Sequence, residues 1–257
     1  MRLLTFSFLK MCKYKKLCIG LPRRISSVTE SEARIALRDP TLVEISPSWE
    51  ETDEPKLRSA VVRDMQIYPE FITEREENTL LLELEPVLRR MRYEFDHWDN
   101  AIQGFRETER SQWSAENSVV LARVRALAAS AGARAEDFLP HVHVLDLAAA
   151  GHIRPHVDAV RFCGDVIAGL CLASSAVMQL LHVSHKHMQV DALLARRALY
   201  IMKGVARYDF THAVLGGVES QWRGQRVARQ RRVALICRTA PPAHQLDADA
   251  APEGPAL

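Results

Sequence analysis

HVHVLDLAAAGHIRPHVDAVRFCGDVIAGLCLASSAVMQLLHV, residues 141–183, is the stretch that decides the fold. Apolar and β-branched residues gather in short runs, HVHVLDL, HIRPHVD, VIAGLCL and VMQLLHV, with Gly, Ser and Asp between them. Such runs read as the strands of a sandwich or barrel. ALYIMK at 198–203 and RRVALICR at 231–238 carry the same texture further along the chain. The run HIRPHVD contains His156 and Asp158. Side chains on a strand repeat every second residue, so His-x-Asp presents both groups to one side. His212 comes later, in YDFTH. Two imidazoles and one carboxylate can cover one face of a non-haem Fe(II) and leave the other face for a co-substrate and dioxygen. Arg232 and Arg238 bracket VALIC at an even spacing, so on a strand both guanidiniums turn the same way. A planar, permanently charged guanidinium suits a carboxylate, and 2-oxoglutarate offers one at each end.

Each of these pieces is common by itself. Their order is what carries information. A His-x-Asp pair, a distant second histidine as third ligand and then an arginine strand is the serial arrangement that a double-stranded β-helix needs to bring the four together. The expected fold is therefore α+β and mainly β, a double-stranded β-helix (jelly-roll) core with N-terminal helices packed on it.

Two helices are expected ahead of the strands. Thr73 and Glu76 can form a capping box, and Leu80, Leu81, Leu84 and Leu88 recur at helical spacing, with Pro86 expected to bend or interrupt the helix. A second helix fits residues 117–129, with Val120, Val124, Leu127 and Ala128 as its apolar stripe. Residues 26–66, rich in Ser, Glu and Pro as in SPSWEETDEP, read as a linker or weakly ordered extension, and residues 241–257 as a disordered tail. The catalytic domain then spans 67–240.

The 257 residues carry a net charge of +2, unevenly spread. Ahead of Glu30 stand Arg2, Lys10, Lys13, Lys15, Lys16, Arg23 and Arg24 and no acid. Taking those seven from the 34 basic residues leaves 27 against 32 acidic ones, so the body is acidic and unsuited to coating nucleic acid. Residues 1–25, basic, apolar and acid-free, have the composition of a mitochondrial presequence, which directs the chain to the matrix. No apolar run reaches the eighteen residues of a membrane-spanning helix. Cys12 and Cys18 would leave with the presequence, and Cys163, Cys171 and Cys237 form no disulfide framework.

The HVD, FTH and Arg-x5-Arg series, together with YEFDHWDNAIQGFRETER, HVHVLDL, IRPHVDAVRFCG and LYIMKGVARYDFTH, resembles the AlkB-like Fe(II)/2-oxoglutarate dioxygenases, their mitochondrial branch in particular, over residues 68–238. The resemblance implies iron on His156, Asp158 and His212, and 2-oxoglutarate held by Tyr200, Arg232 and Arg238, with Val233 and Ala234 alongside. It assigns Arg232 to the distal carboxylate and Arg238 to the region of the iron-bound one. Dioxygen is the second co-substrate. Tyr200 supports the assignment on its own terms, because a buried phenol wants a hydrogen-bond partner and a carboxylate oxygen is a good one. His143 either faces the pocket or faces water.

Nucleic-acid repair enzymes of this class grip a flipped base with an aromatic and basic lid between the N-terminal helices and the barrel. Residues 93–139 hold one acidic-aromatic segment and one helix, which leaves no room for such a lid. The leading expectation is a monomeric oxygenase that hydroxylates an unidentified mitochondrial protein, with the role in programmed necrosis and fatty-acid metabolism that the resemblance implies. Against it stands WRGQRVARQRR, where Arg223, Arg226, Arg229, Arg231 and Arg232 could meet the phosphates of structured mitochondrial RNA. On the blander reading only Arg232 reaches the pocket and the others form a solvated loop. RNA demethylation and a non-catalytic scaffold that binds iron and 2-oxoglutarate are thus the alternatives.

Overall fold

The computed structural model describes residues 37–95 and 100–241. Short strand β1 (Val43–Ile45) and helix α1 (Pro55–Asp64) precede strand β2 (Met65–Tyr68) and helix α2 (Glu74–Leu88). Strand β3 (Ile102–Arg110) and helix α3 (Ala115–Ser130) follow, then the long β4 (Val142–His156), β5 (Val166–Leu172), β6 (Ala176–His182) and β7 (Gln189–Leu194). The chain ends in β8 (Leu199–Lys203), a short α4 (Gly204–Tyr208), β9 (Phe210–Val214), the hairpin β10 (Gln221–Trp222) and β11 (Gln225–Arg226), and β12 (Arg232–Arg238).

The main sheet runs β1-β7-β6-β9-β4-β12-β5-β8-β2, every pairing antiparallel, with β3 added to the free side of β4. Its two ends approach each other at β1 and β2, so the sheet wraps around an interior as a jelly roll does. β4 joins the halves. Its first half pairs with β12 and its second half with β9, across a register shift between Ile153 and His156.

Strand alternation then separates two cores. Ile167, Cys171, Met178, Tyr200, Met202, Phe210 and Val214 point inward. Val144, Leu170, Leu199, Ile201, Val233 and Leu235 point outward, where α2 and α3 cover them through Leu80, Leu84, Leu88, Val120, Leu121 and Val124. α2 begins as the sequence predicts: Thr73 Oγ1 accepts the Glu76 N–H at 3.2 Å, and the Thr73 N–H donates to the Glu76 carboxylate at 2.8 Å. Pro86 falls in its last turn, so it does not interrupt the helix, which ends two residues later. α3 extends slightly beyond the expected 117–129 and is capped by Ser114, with Leu121 more deeply buried than the expected Leu127.

The reading of 26–66 as a weakly ordered extension is corrected from residue 37 onward. β1 pairs with β7, and Trp49, only 1% exposed, lies 6.0 Å from the Phe210 ring and donates its indole N–H to the Asp53 carbonyl. Composition hid this because a single large side chain does the anchoring among acids and prolines. The expected presequence at 1–25 lies outside the described residues, as do residues 26–36 and nearly all of the expected tail.

Candidate metal centre

His156 ends β4 and His212 sits at the centre of β9, and the two are direct register partners. That pairing places their ring centroids 4.3 Å apart. Asp158, two residues beyond the strand, turns back between them, with Oδ1 3.3 Å from His156 Nε2 and 3.8 Å from His212 Nε2. One ligand atom from each of the three lies within 4.8 Å of the others. Nδ1 of His156 donates to the Arg154 carbonyl at 2.9 Å, which leaves its Nε2 lone pair facing the centre. Burial holds His212 down to about 4, against the pull of Asp158, so its imidazole is neutral as a metal ligand must be. For Asp158 burial acts to raise the pKa, but the His156 hydrogen bond and the electrostatic influence of His212, His156 and Arg207 outweigh it and keep the carboxyl well below the usual range.

The three residues open on a cavity of about 1000 Å³. Arg232 and Tyr200 line it, and both are buried. Arg232 is 2% exposed, yet among the described residues no carboxylate pairs with it: Nη2 meets only the Cys171 sulfur at 3.5 Å, and Nε has no partner. A buried guanidinium without an anion is costly, so this corner of the cavity fits an anionic ligand. Tyr200 lies across Gly169, its register partner on β5, so closely that a β-carbon at 169 would stand 2.1 Å from the ring. A glycine inside the VIAGLCL run was the available sequence signal for that close approach.

β12 sorts the other expected residues. Arg238 shares the inward face with Arg232, as the even spacing predicts, but its Nη2 pairs with Glu109 at 3.1 Å. Val233 is turned to the opposite face, in the helix-covered core with Leu235, so its side chain is directed away from the cavity. Ala234 is buried but does not line the cavity. His143 faces the cavity, its Nε2 2.8 Å from the Glu107 carboxylate, which decides between the two readings of that residue. The sequence reading missed Cys163, also on the wall, and Arg207, completely buried behind it.

The arginine loop is likewise only partly solvated. Arg231 forks onto Asp146 at 2.8 and 3.1 Å and also meets Glu85, and Arg229 donates to the carbonyls of Leu215 and Gly151. Arg226 is exposed, and Arg223 lies half-exposed against Glu44.

A jelly-roll sheet with two histidines and an aspartate inside it, beside an unpaired buried arginine, is the arrangement of a non-haem iron oxygenase that takes a dicarboxylic co-substrate. No family model matches the chain. It is 51% identical over 175 residues to the alpha-ketoglutarate-dependent dioxygenase alkB homolog 7, mitochondrial, of Mus musculus, covering 68% of this chain and 78% of that relative. With the Bos taurus protein of the same name it shares 49% over 183 residues, 71% of this chain and 79% of the relative. The chain belongs to the AlkB homolog 7 family of 2-oxoglutarate-dependent dioxygenases. It is an enzyme that uses Fe(II), 2-oxoglutarate and dioxygen. Solved structures show the same fold at low identity. A prolyl hydroxylase from Trichoplax adhaerens, in complex with a hypoxia inducible factor peptide fragment, has a TM-score of 0.52 at 11% identity, covering 80% of this chain and all of that one. A Pseudomonas putida prolyl-4-hydroxylase has a TM-score of 0.50 at 12% identity, covering 69% of this chain and 92% of that one.

Proposed function

We propose that His156, Asp158 and His212 hold the iron, that Arg232 and Tyr200 hold the distal carboxylate of 2-oxoglutarate, and that the enzyme hydroxylates a protein in the mitochondrial matrix. His156, Asp158 and His212 would hold an iron that supplies, with dioxygen, the oxidation of a nearby C–H bond coupled to decarboxylation of 2-oxoglutarate to succinate and carbon dioxide. The chain's own residues supply orientation. The Arg154 carbonyl fixes the His156 tautomer, the guanidinium of Arg232 receives the dianion, and the apolar walls formed by Ile153, Met178 and Val214 exclude water. Arg238, held by Glu109 at the mouth, has a lesser part in co-substrate binding than Arg232. Val233 and Ala234 serve as strand backbone and not as side-chain contacts.

The observation that carries the choice of a protein substrate is β3. Among the described residues, the segment between α2 and α3 holds one strand, laid along β4, and a single antiparallel bridge from Glu94 to Phe105, less than the paired strands of a base-gripping lid. A folded-in base needs such a grip, whereas an exposed side chain does not. With Arg231 and Arg229 engaged by the protein itself, the loop offers RNA less charge than its sequence implies. The names of both relatives carry the word mitochondrial, in keeping with the acid-free N-terminus. Action as a monomer, in programmed necrosis and fatty-acid metabolism, is part of the same proposal. Mass spectrometry of matrix protein and RNA from cells with wild-type or His156→Ala enzyme tests it. Hydroxylated peptides absent from the variant are the expected result. Loss of methyl groups from RNA in the wild type alone would transfer the assignment to demethylation, and no difference in either pool would leave the scaffold role.

A further inference from the structure

Arg207 is fully buried in α4, five residues ahead of His212, and no acid forms a hydrogen bond with it among the described residues. Its Nη2 donates to the Cys163 carbonyl at 3.1 Å and its Nε to the Gly164 carbonyl at 3.4 Å, while Nη1 has no partner. Those two carbonyls belong to the turn that leaves Asp158, and Cys163 lines the cavity. Gly164 is wedged from its other side, since a β-carbon there would stand 2.3 Å from the Ala240 carbonyl oxygen. The turn is therefore held between the C-terminal end of the barrel and one buried cation.

A buried guanidinium whose partners are two carbonyls and the face of the Tyr208 ring, 4.8 Å away, keeps a full positive charge in a medium of low dielectric, where charges are felt over many ångströms. Arg232 adds a second buried cation that no acid pairs with among the described residues. Against the lining acids Asp158, Glu107 and Glu109 stand Arg154, Arg161, Arg232 and Arg238, with Arg207 behind the wall, so the pocket as built carries more positive than negative charge. A divalent ion arriving alone adds to that excess, whereas a dianion removes it. The carbonyl bonds alone do not account for this residue, because a neutral amide could make the same kind of bond without the cost of burying a charge.

We propose that Arg207 is a positioning residue that couples the two ligands of this centre: its buried charge weakens binding of the divalent metal alone and enlarges the factor by which 2-oxoglutarate tightens it. The inference rests on His156, Asp158 and His212 being the metal ligands. By linkage, the factor by which 2-oxoglutarate tightens metal binding equals the factor by which metal tightens 2-oxoglutarate binding, so Arg207 changes both factors by the same amount.

Mn(II) titrations followed by electron paramagnetic resonance, with and without 2-oxoglutarate, test this on the full chain and need no turnover. Arg207→Gln keeps donors for the Cys163 carbonyl and removes the charge, and Arg207→Lys keeps the charge and loses the planar fork. In Arg207→Gln, Mn(II) alone should bind about tenfold more tightly than in wild type, and the tightening produced by 2-oxoglutarate should shrink by a similar factor, within the usual range of coupling between sites. Arg207→Lys should retain the wild-type coupling. Unchanged or weaker Mn(II) binding in Arg207→Gln, or coupling lost equally in Arg207→Lys, would overturn the proposal and leave Arg207 a structural clamp. If Arg207→Gln does not fold, Arg207→Met is the neutral variant, read by the same two outcomes. Absence of Mn(II) binding by wild type, or binding undiminished by Asp158→Ala, would instead overturn the ligand assignment itself.

Discussion

Arg231 and Arg232 are neighbours in the chain and opposites in chemistry. Arg231 lies on the outer side of the sheet, where Asp146, itself completely buried, also receives Arg106 at 2.8 Å and the Tyr93 hydroxyl at 3.2 Å. Arg232 lies on the inner side, deeper still, with a thiol as its one hydrogen-bond partner among the described residues. Strand alternation alone sends one guanidinium to a structural hub and the next to the cavity. A buried charge whose hydrogen bonds are satisfied within the protein belongs to stability, and one left unsatisfied belongs to a ligand.

The largest break in that contrast should come from Asp146→Ala. Arg106 and Arg231 would lose the anion between them, and stability should fall by about 4 kcal/mol, because removing one member of a buried network leaves charge uncompensated. Chemical denaturation measures this, and a loss below about 1 kcal/mol would mean the hub is replaceable by water. Next comes Arg232→Met. It should weaken 2-oxoglutarate binding to the Mn(II)-loaded enzyme by about 3 kcal/mol in calorimetry, without lowering the unfolding midpoint, since the substitution removes an unpaired charge. Arg231→Met should do the reverse: about 2 kcal/mol of stability lost, with co-substrate affinity nearly unchanged. Equal effects of the two substitutions on either readout would erase the distinction. Arg238→Met should cost about 1 kcal/mol of co-substrate affinity at most, because its partner Glu109 stands at a solvated rim. Smallest of all, replacing Arg223 and Arg226 together by Ala should leave both readouts within about 0.5 kcal/mol of wild type.

The same alternation explains what could be read in advance. β5, β8 and β12 are covered on both faces, so they appear as unbroken apolar runs, and the spacing of Arg232 and Arg238 could be taken straight onto one side, whereas Asp158 reaches His156 from the turn beyond β4 and not by alternation along it. β3 escaped notice because it is an edge strand written IQGFRETER, half charge, with Gly104 at φ +64° beside its bulge. β7 has clear alternation, Val190, Ala192 and Leu194 inward, but only six residues. HVHVLDL and HIRPHVD read as two strands since Ala and Gly separate them, yet they are the two halves of β4. The division of the arginines was illegible for another reason. Their partners, Glu85, Asp146 and Glu109, come from distant segments, and no local pattern announces which guanidinium will meet an acid.

Tyr200 and Gly169 set a limit of a different kind. The phenol occupies the place where any other residue at 169 would put its first carbon. That position therefore encodes a volume and not a reactivity, and a lone methyl group added there would unseat the ring while every donor, acceptor and charge of the centre stayed as it was. Natural variation should leave this glycine standing as long as the pocket is in use, and its replacement in a related sequence would mark a barrel that has kept its shape and given up its co-substrate.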